Sequence, residues 1–244
     1  MSLLVIDNLC AAYDGSEVLH HISFDVAQGD FVAVIGANTA GKSTLLRLMA
    51  GLYTPLAGSV RLDGVEMQQI EPAEVRSCMG YVGQDPQLFM GTLRENMVLS
   101  ETWLSDAKII EVLKMLNLYE MVAAHPRGLD MPITEAGGGL SGGQRQLLSI
   151  ARMVLRDPQL VFMDEPTANM DGNTEAHVIE VLSEWLKGRT VLMSTHRPQL
   201  LAWADTVAVI EAGQCALIGP KQEMIEKLSR GVDVPSSAPA GARV

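Results

Sequence analysis

Short apolar runs alternate with turns in the N-terminal part of the chain. Residues 3–6, 22–26 and 31–35 read as β-strands, with Asp14-Gly15 and Gln28-Gly29-Asp30 as turns between them. Gly36 to Gly41 reads as a loop. From Ser43 the apolar period changes from two to 3.6, with Leu45, Leu46, Leu48, Met49 and Leu52 on one helical face. Val60-Arg61-Leu62 and Gly80-Tyr81-Val82 are further short strands. Between about residues 88 and 156 the pattern is mostly helical: 106–118 carries Ile109, Ile110, Val112, Leu113 and Leu116, Gly137-Gly138-Gly139 breaks it, and 142–155 resumes it. The last third returns to strand-sized apolar runs of buried type at 160–163, 191–194 and 207–210, with a helical stretch over 174–186 between the first two. Strand–helix–strand order predicts parallel pairing through crossover helices, so the predicted class is α/β with a helical insert.

Composition narrows what such a domain does. A chain of 244 residues that is 48% hydrophobic can fill one α/β core, and 19% charged residues argue against wholesale disorder. Asp and Glu number 29 against 18 Lys and Arg, a formal charge of −11, which disfavours nucleic acid as the main partner. Cys10, Cys78 and Cys215 show no metal spacing and read as reduced thiols. Asp7 and Asn8 interrupt the first apolar run, so no signal peptide is expected. No stretch reaches the ~18 apolar residues of a membrane span. A membrane role would run through a partner or through a segment outside this chain.

Two segments carry phosphate chemistry. Gly36-Ala37-Asn38-Thr39-Ala40-Gly41-Lys42-Ser43-Thr44 follows a predicted strand, opens a predicted helix and fits the P-loop pattern. Its backbone amides and the helix N-terminus suit phosphate oxygens. Lys42 brings positive charge to the outer phosphates, and the Ser43 hydroxyl is a hard ligand for Mg²⁺. The bland alternative, a glycine turn beside an exposed lysine, loses to the strand–loop–helix context. Downstream, an apolar strand ends in Asp164-Glu165. Asp164 is placed to meet the Mg²⁺ of the P-loop, and Glu165 to orient and deprotonate a water at the γ-phosphate. Alone, such a pair reads as solvated acids at a strand end; with a P-loop upstream it reads as a catalytic site.

A third motif makes the assignment specific. Leu140-Ser141-Gly142-Gly143-Gln144-Arg145-Gln146 resembles the signature sequence of ABC ATPases. The remaining order is similar too: Tyr13 at the aromatic that stacks on adenine, Gln84 at the Q-loop, Asp164-Glu165-Pro166-Thr167 at Walker B, Asp171 at the D-loop aspartate and His196 at the switch histidine. The resemblance covers roughly residues 3 to 230. It implies a P-loop NTPase core with a mostly parallel sheet and an antiparallel β subdomain (1–87 and 157–230) and a helical subdomain bearing the signature (88–156), while composition alone, Pro, Ser, Ala and Gly with little to bury, marks 231–244 as a disordered tail or linker. It implies ATP and Mg²⁺ as cofactors. Lys42, Gln84, Glu165 and His196 are the expected catalytic group, and Ser43, Gln84 and Asp164 the expected metal ligands. Gly36, Asn38, Thr39, Ala40, Gly41, Ser43, Thr44 and Tyr13 are the expected nucleotide contacts. Ser141, Gly142, Gly143, Gln144 and Asp171 are expected to close on the nucleotide from a second copy, paired head to tail.

Two features lean toward export. The run from Gln84 to Asn96 is similar to exporter ATPases, and Thr134-Glu135-Ala136-Gly137 resembles an exporter loop bearing a glutamate. His125-Pro126-Arg127-Gly128-Leu129-Asp130, Thr195-His196-Arg197-Pro198 and Gly219-Pro220-Lys221 look like type I secretion exporters, whose membrane helices lie N-terminal in the same polypeptide. The implied location is the cytoplasmic face of a bacterial inner membrane. Three alternatives stay open at this point: an importer ATPase with a separate permease, a soluble ABC protein, and a nucleotide-gated module without turnover. Two departures bear on them. Thr39 stands where the family has Gly, at an expected cost of about 1–2 kcal/mol if the position needs positive φ. Ala168-Asn169-Met170 replaces the usual Ser-Ala-Leu before Asp171.

Overall fold

The computed structural model describes residues 2–13, 15–99, 101, 103–134 and 137–229, with the side chains of Tyr13, Leu228 and Ser229 outside that set. The period-two runs at the N-terminus become longer strands than their apolar positions mark. β1 (Ser2–Tyr13) and β2 (Ser16–Ala27) pair antiparallel, and on β2 the buried Ile22, Phe24 and Val26 alternate with the exposed His21, Ser23 and Asp25. After β3 (Phe31–Ile35) and α1 (Lys42–Met49), β4 (Ala57–Leu62) returns to pair with β1, and β5 (Val65–Glu66) pairs with β4. This antiparallel sheet has the order β2-β1-β4-β5.

α2 (Pro72–Cys78), with proline in its first turn, leads into β6 (Met79–Val82). The insert follows: β7 (Gly91–Thr92), α3 (Leu93–Val98), α4 (Asp106–Met115), α5 (Tyr119–Ala124), β8 (Pro132–Ile133) and α6 (Gly142–Arg156), with β7 and β8 paired. Then come β9 (Leu160–Asp164), α7 (Gly172–Trp185), β10 (Thr190–Ser194), α8 (Pro198–Leu201), β11 (Thr206–Glu211), β12 (Gln214–Pro220) and α9 (Lys221–Ser229). The central sheet has the order β12-β11-β3-β10-β9-β6, parallel throughout except for the edge strand β12.

The pleat of this sheet separates two cores. Phe31, Ala33, Val161, Met163, Val191 and Met193 point into the cluster that contains the helical insert. Their neighbours Val32, Val34, Leu160, Phe162 and Leu192 point into the cluster shared with α1 and the antiparallel sheet. Strands buried on both faces read as unbroken apolar runs for this reason. Among the described residues the insert shares its core with the sheet: Leu113, Leu148 and Ile150 lie in one cluster with the sheet residues.

Three predicted boundaries shift. The stripe that includes Leu52 ends earlier, because α1 stops at Met49. Gly51 has φ of 67° and donates to Leu48 O at 3.0 Å, while Leu52 donates to Arg47 O at 2.9 Å, a Schellman close. Leu52 is left outside the helix and exposed. The same close, with Asn117 at φ 55° and Leu118 bonding back to Leu113 O, ends α4 at Met115 rather than Leu118. α7 begins at Gly172, two residues before the predicted start, because Asp171 caps it.

Candidate nucleotide site

Register brings the chemistry together. In the parallel sheet Val34, Ser194 and Asp164 are row partners, and Val82 pairs with Met163. The residues that follow each strand therefore emerge along one edge: Gly36 after β3, Glu165 after β9, Thr195-His196 after β10 and Gly83-Gln84 after β6. The carboxyl edge is where open α/β sheets bind ligands.

The loop after β3 is shaped by glycines that no other residue replaces. Gly36 has φ of 149°, and a Cβ there would lie 2.0 Å from Ile210 O. Gly41 is the N-cap of α1 with φ of 100° and gives no side-chain cap, so the first amides of α1 are left for a ligand. Lys42 is only 8% exposed, and its ammonium donates to Gly36 O at 2.8 Å and Ala37 O at 2.9 Å, closing the loop around the charge. Asn38 and Thr39 are exposed at its crest, Ala40 is buried beneath, and Ser43 and Thr44 lie in the first turn of α1. Thr39 is not among the non-glycine residues with positive φ. The strain expected there is absent, because this turn does not use the left-handed region at that position.

Asp164 is 1% exposed. Ser194 Oγ donates to its Oδ1 at 2.5 Å, and Oδ2 has no partner. A buried carboxylate oxygen without a partner is costly, and a hard cation, directly or through its water, relieves that cost. The donor set of Asp164 and the Ser43 hydroxyl fits Mg²⁺ on these grounds. Gln84, also expected to ligate, is exposed on its loop, and its carbonyl accepts from Asn169 Nδ2 at 3.3 Å.

Glu165 adopts φ of 47°, a left-handed conformation that costs a non-glycine residue about 1–3 kcal/mol. The turn is held by its amide, which donates to Ser194 O at 3.1 Å. It carries a carboxylate that is 11% exposed to 2.7 Å from Nδ1 of His196, itself 67% exposed. Glu165 and His196, distant in sequence, are therefore joined side chain to side chain.

The signature turn is built differently. Ser141 caps α6 by accepting from Gln144 N at 3.1 Å, and Gln144 Oε1 accepts from Ser141 N at 2.8 Å, a complete capping box. Gly143 is pressed against the loop after β9, where a Cβ would lie 3.2 Å from Asn169 O, and Gly142 is 3.6 Å from Asn169 Cβ on the same basis. Among the described residues no hydrogen bond joins Ser141, Gly142, Gly143 or Gln144 to residues 36–44. Asp171 caps α7, taking hydrogen bonds from Thr174 Oγ1 at 2.7 Å and from the amides of Asn173 and Thr174. The Thr174 hydroxyl bond, then that residue's amide, hold this carboxyl below the usual range. The side chain of Tyr13, residues Glu135 and Ala136, and the tail 231–244 lie outside the described residues.

Sequence reasoning missed Ser194 and Gln146. Both had a signal: a hydroxyl closing an apolar central strand, and an amide facing inward on an apolar helix, each need a hydrogen-bond partner.

The "ABC transporter" family model matches residues 19–168, which include the P-loop, the signature and the Asp164–Glu165 pair. The chain belongs to the ABC transporter family. This ABC domain is 36% identical over 214 residues to an ATP-dependent lipid A-core flippase of Burkholderia pseudomallei, covering 88% of this chain and 36% of that protein. It is 35% identical over 215 residues to a probable multidrug resistance ABC transporter ATP-binding/permease protein, YheH, of Bacillus subtilis, covering 88% and 32%. The structure of a bacterial Atm1-family ABC exporter with ATP bound matches with a TM-score of 0.85 at 31% identity, covering 92% of this chain and 40% of that one. The ABC domain thus has an exporter ATP-binding domain's fold and spans about a third of the length of the curated relatives it matches. No described helix is long and apolar enough to cross a membrane.

Proposed function

We propose that this ABC domain binds Mg-ATP at the carboxyl edge of its parallel sheet and hydrolyses it to drive an exporter's membrane domain, working as a head-to-tail pair of copies. The observation that carries the reading is the Glu165–His196 pair at 2.7 Å, beside Asp164 with its buried, unpartnered Oδ2. Loop amides and Lys42 hold the β- and γ-phosphates. Ser43 and Asp164 would hold Mg²⁺, which would supply positive charge to the terminal phosphates. Glu165 takes a proton from the attacking water; the water oxygen bonds to the γ-phosphorus as the β–γ bridge breaks and ADP leaves. His196 engages Oε1, so the other carboxylate oxygen faces the water, and the held geometry limits reorganisation at the moment of attack. Ser141, Gly142, Gly143, Gln144 and Asp171 meet the nucleotide from the second copy, Gln84 reaches the metal from its loop, and Tyr13 stacks on the base.

The decisive variant is Glu165→Gln. Turnover falls by about 10²–10⁴, the usual worth of a general base, while Mg-ATP affinity is kept and an ATP-bound dimer accumulates. Wild-type turnover per subunit rises with protein concentration. Unchanged hydrolysis in Glu165→Gln, or an ATP-loaded variant that stays monomeric, would falsify the corresponding half of the proposal. The names of the bacterial relatives support export, and the family resemblance implies the cytoplasmic face of the inner membrane. For cargo, the segments 125–130 and 219–221 favour a protein or peptide over a lipid or drug. Membrane vesicles of the complete transporter, assayed with each cargo class under ATP, decide this: lipid flipping without peptide movement overturns the cargo assignment and leaves the ATPase untouched.

A further inference from the structure

We propose that Gln146 and Asn169 are positioning residues that clamp two successive carbonyls of the Q-loop, from α6 on one side and from the loop after β9 on the other. The inference deepens the hydrolysis reading and rests on it for its kinetic consequence. Gln146, wholly buried on α6, donates from Nε2 to Gly83 O at 3.1 Å. Asn169 donates from Nδ2 to Gln84 O at 3.3 Å. The Asn169 backbone is also packed against Gly143 of the signature turn. One short peptide segment is thus tied to the helix that carries the signature and to the loop that carries Glu165.

Stability does not explain the glutamine. Its Oε1 is buried without a partner, which costs about 1–3 kcal/mol. An apolar side chain of the same volume would avoid that cost and pack into the same cluster as Leu147, Leu148 and Ile150, giving up only the bond to the carbonyl of the half-buried Gly83. What the amide supplies is direction: the Gly83 carbonyl fixes Nε2 toward the Q-loop. Asn169 stands where the usual Ser-Ala-Leu run has its alanine, and alanine at that position has no side-chain donor for Gln84 O. With both bonds made, the Gln84 backbone and the signature turn keep one orientation relative to Asp164 and Glu165. With either lost, the elements remain and their mutual placement loosens.

The test uses Asn169→Asp, which keeps shape and removes the donor, and Gln146→Met, which keeps volume and removes the orphaned oxygen. Mg-ATP turnover, Tm and amide hydrogen exchange over residues 83–87 are read on the 244-residue chain. Both variants are expected to lower kcat roughly two- to tenfold, the worth of one hydrogen bond, with KM for Mg-ATP unchanged. Tm is unchanged in Asn169→Asp and unchanged or higher in Gln146→Met, so activity and stability move independently. Exchange over 83–87 quickens in both. Wild-type kcat in both variants, or a loss of turnover matched by a fall in Tm, overturns the clamp. If the wild-type chain does not turn over, the hydrolysis reading fails by itself. The exchange data still decide the clamp, which unchanged protection in Asn169→Asp overturns.

Discussion

Two helix N-termini in this molecule are suited to phosphate, and they are finished in opposite ways. α1 begins at Gly41 without a side-chain cap, under a loop already closed around the Lys42 ammonium. α6 begins at Ser141 with both halves of a capping box made. The first end is held open at the expense of its own stability, as a permanent anion site must be. The second has two of its amides, those of Ser141 and Gln144, taken up by the box, and leaves those of Gly142 and Gly143 without a hydrogen bond to any described residue. On the head-to-tail reading proposed above, the contrast implies an order of events: nucleotide settles on α1 of one copy first, and the open amides of Gly142 and Gly143 on the partner copy's α6 close on it afterwards.

Lys42→Ala strikes the open end of α1 hardest, read by Mg-ATP affinity in a Glu165→Gln background where the nucleotide survives. Charge-assisted hydrogen bonds are worth about 1.5–3 kcal/mol, so affinity should fall by roughly 10- to 100-fold. Ser141→Ala should behave differently. Losing a serine cap costs about 0.5–2 kcal/mol of stability, visible as a lower Tm, while nucleotide affinity of the single copy stays at the wild-type value. Its concentration-dependent turnover should fall, because the far side of the pair is damaged. Equal losses of single-copy affinity in the two variants would remove the distinction between the ends.

What the sequence made legible is whatever repeats with a short period or fits a fixed spacing. The buried strands β3, β9, β10 and β11 and the P-loop were readable because two-sided burial leaves unbroken apolar runs and phosphate demands a fixed glycine spacing. Helix ends were less legible: Leu52 and Leu118 continue the apolar count past their helices, because a Schellman close itself uses apolar residues there. Pairings distant in sequence were invisible without the family resemblance. Nothing local to His196 points at Glu165, and only the row register of β9 and β10 explains their approach.

Thr39 shows the reverse, a residue that looked strained in sequence and is not. Since its φ is not positive, glycine relieves nothing there and only enlarges the unfolded ensemble. Thr39→Gly should therefore lower stability by about 0.4–1 kcal/mol, measured by denaturant midpoint, with Mg-ATP affinity unchanged. A gain in stability or affinity would mean that the crest of the loop carries strain after all, and the α1 end would then be less ready-made than the comparison requires.

The smallest effect tests a third N-terminus. At α7 both carboxylate oxygens of Asp171 are committed to the cap, and its pKa is lowered, first by the Thr174 hydroxyl and then by that residue's amide. A carboxyl whose folded pKa lies below its unfolded value adds stability in full above the ordinary carboxylate range, about pH 4. It loses that stability as pH falls through the folded value. Asp171→Asn keeps a capping acceptor and removes the titration. Wild type should melt slightly higher than this variant at neutral pH, with the gap closing in acid. If the gap instead persists unchanged below the ordinary carboxylate range, the charge is not engaged in the cap. The cap would then rest on the acceptor geometry of Asp171 alone, and its charge would serve the contact with the second copy's nucleotide that the proposed pairing gives this residue.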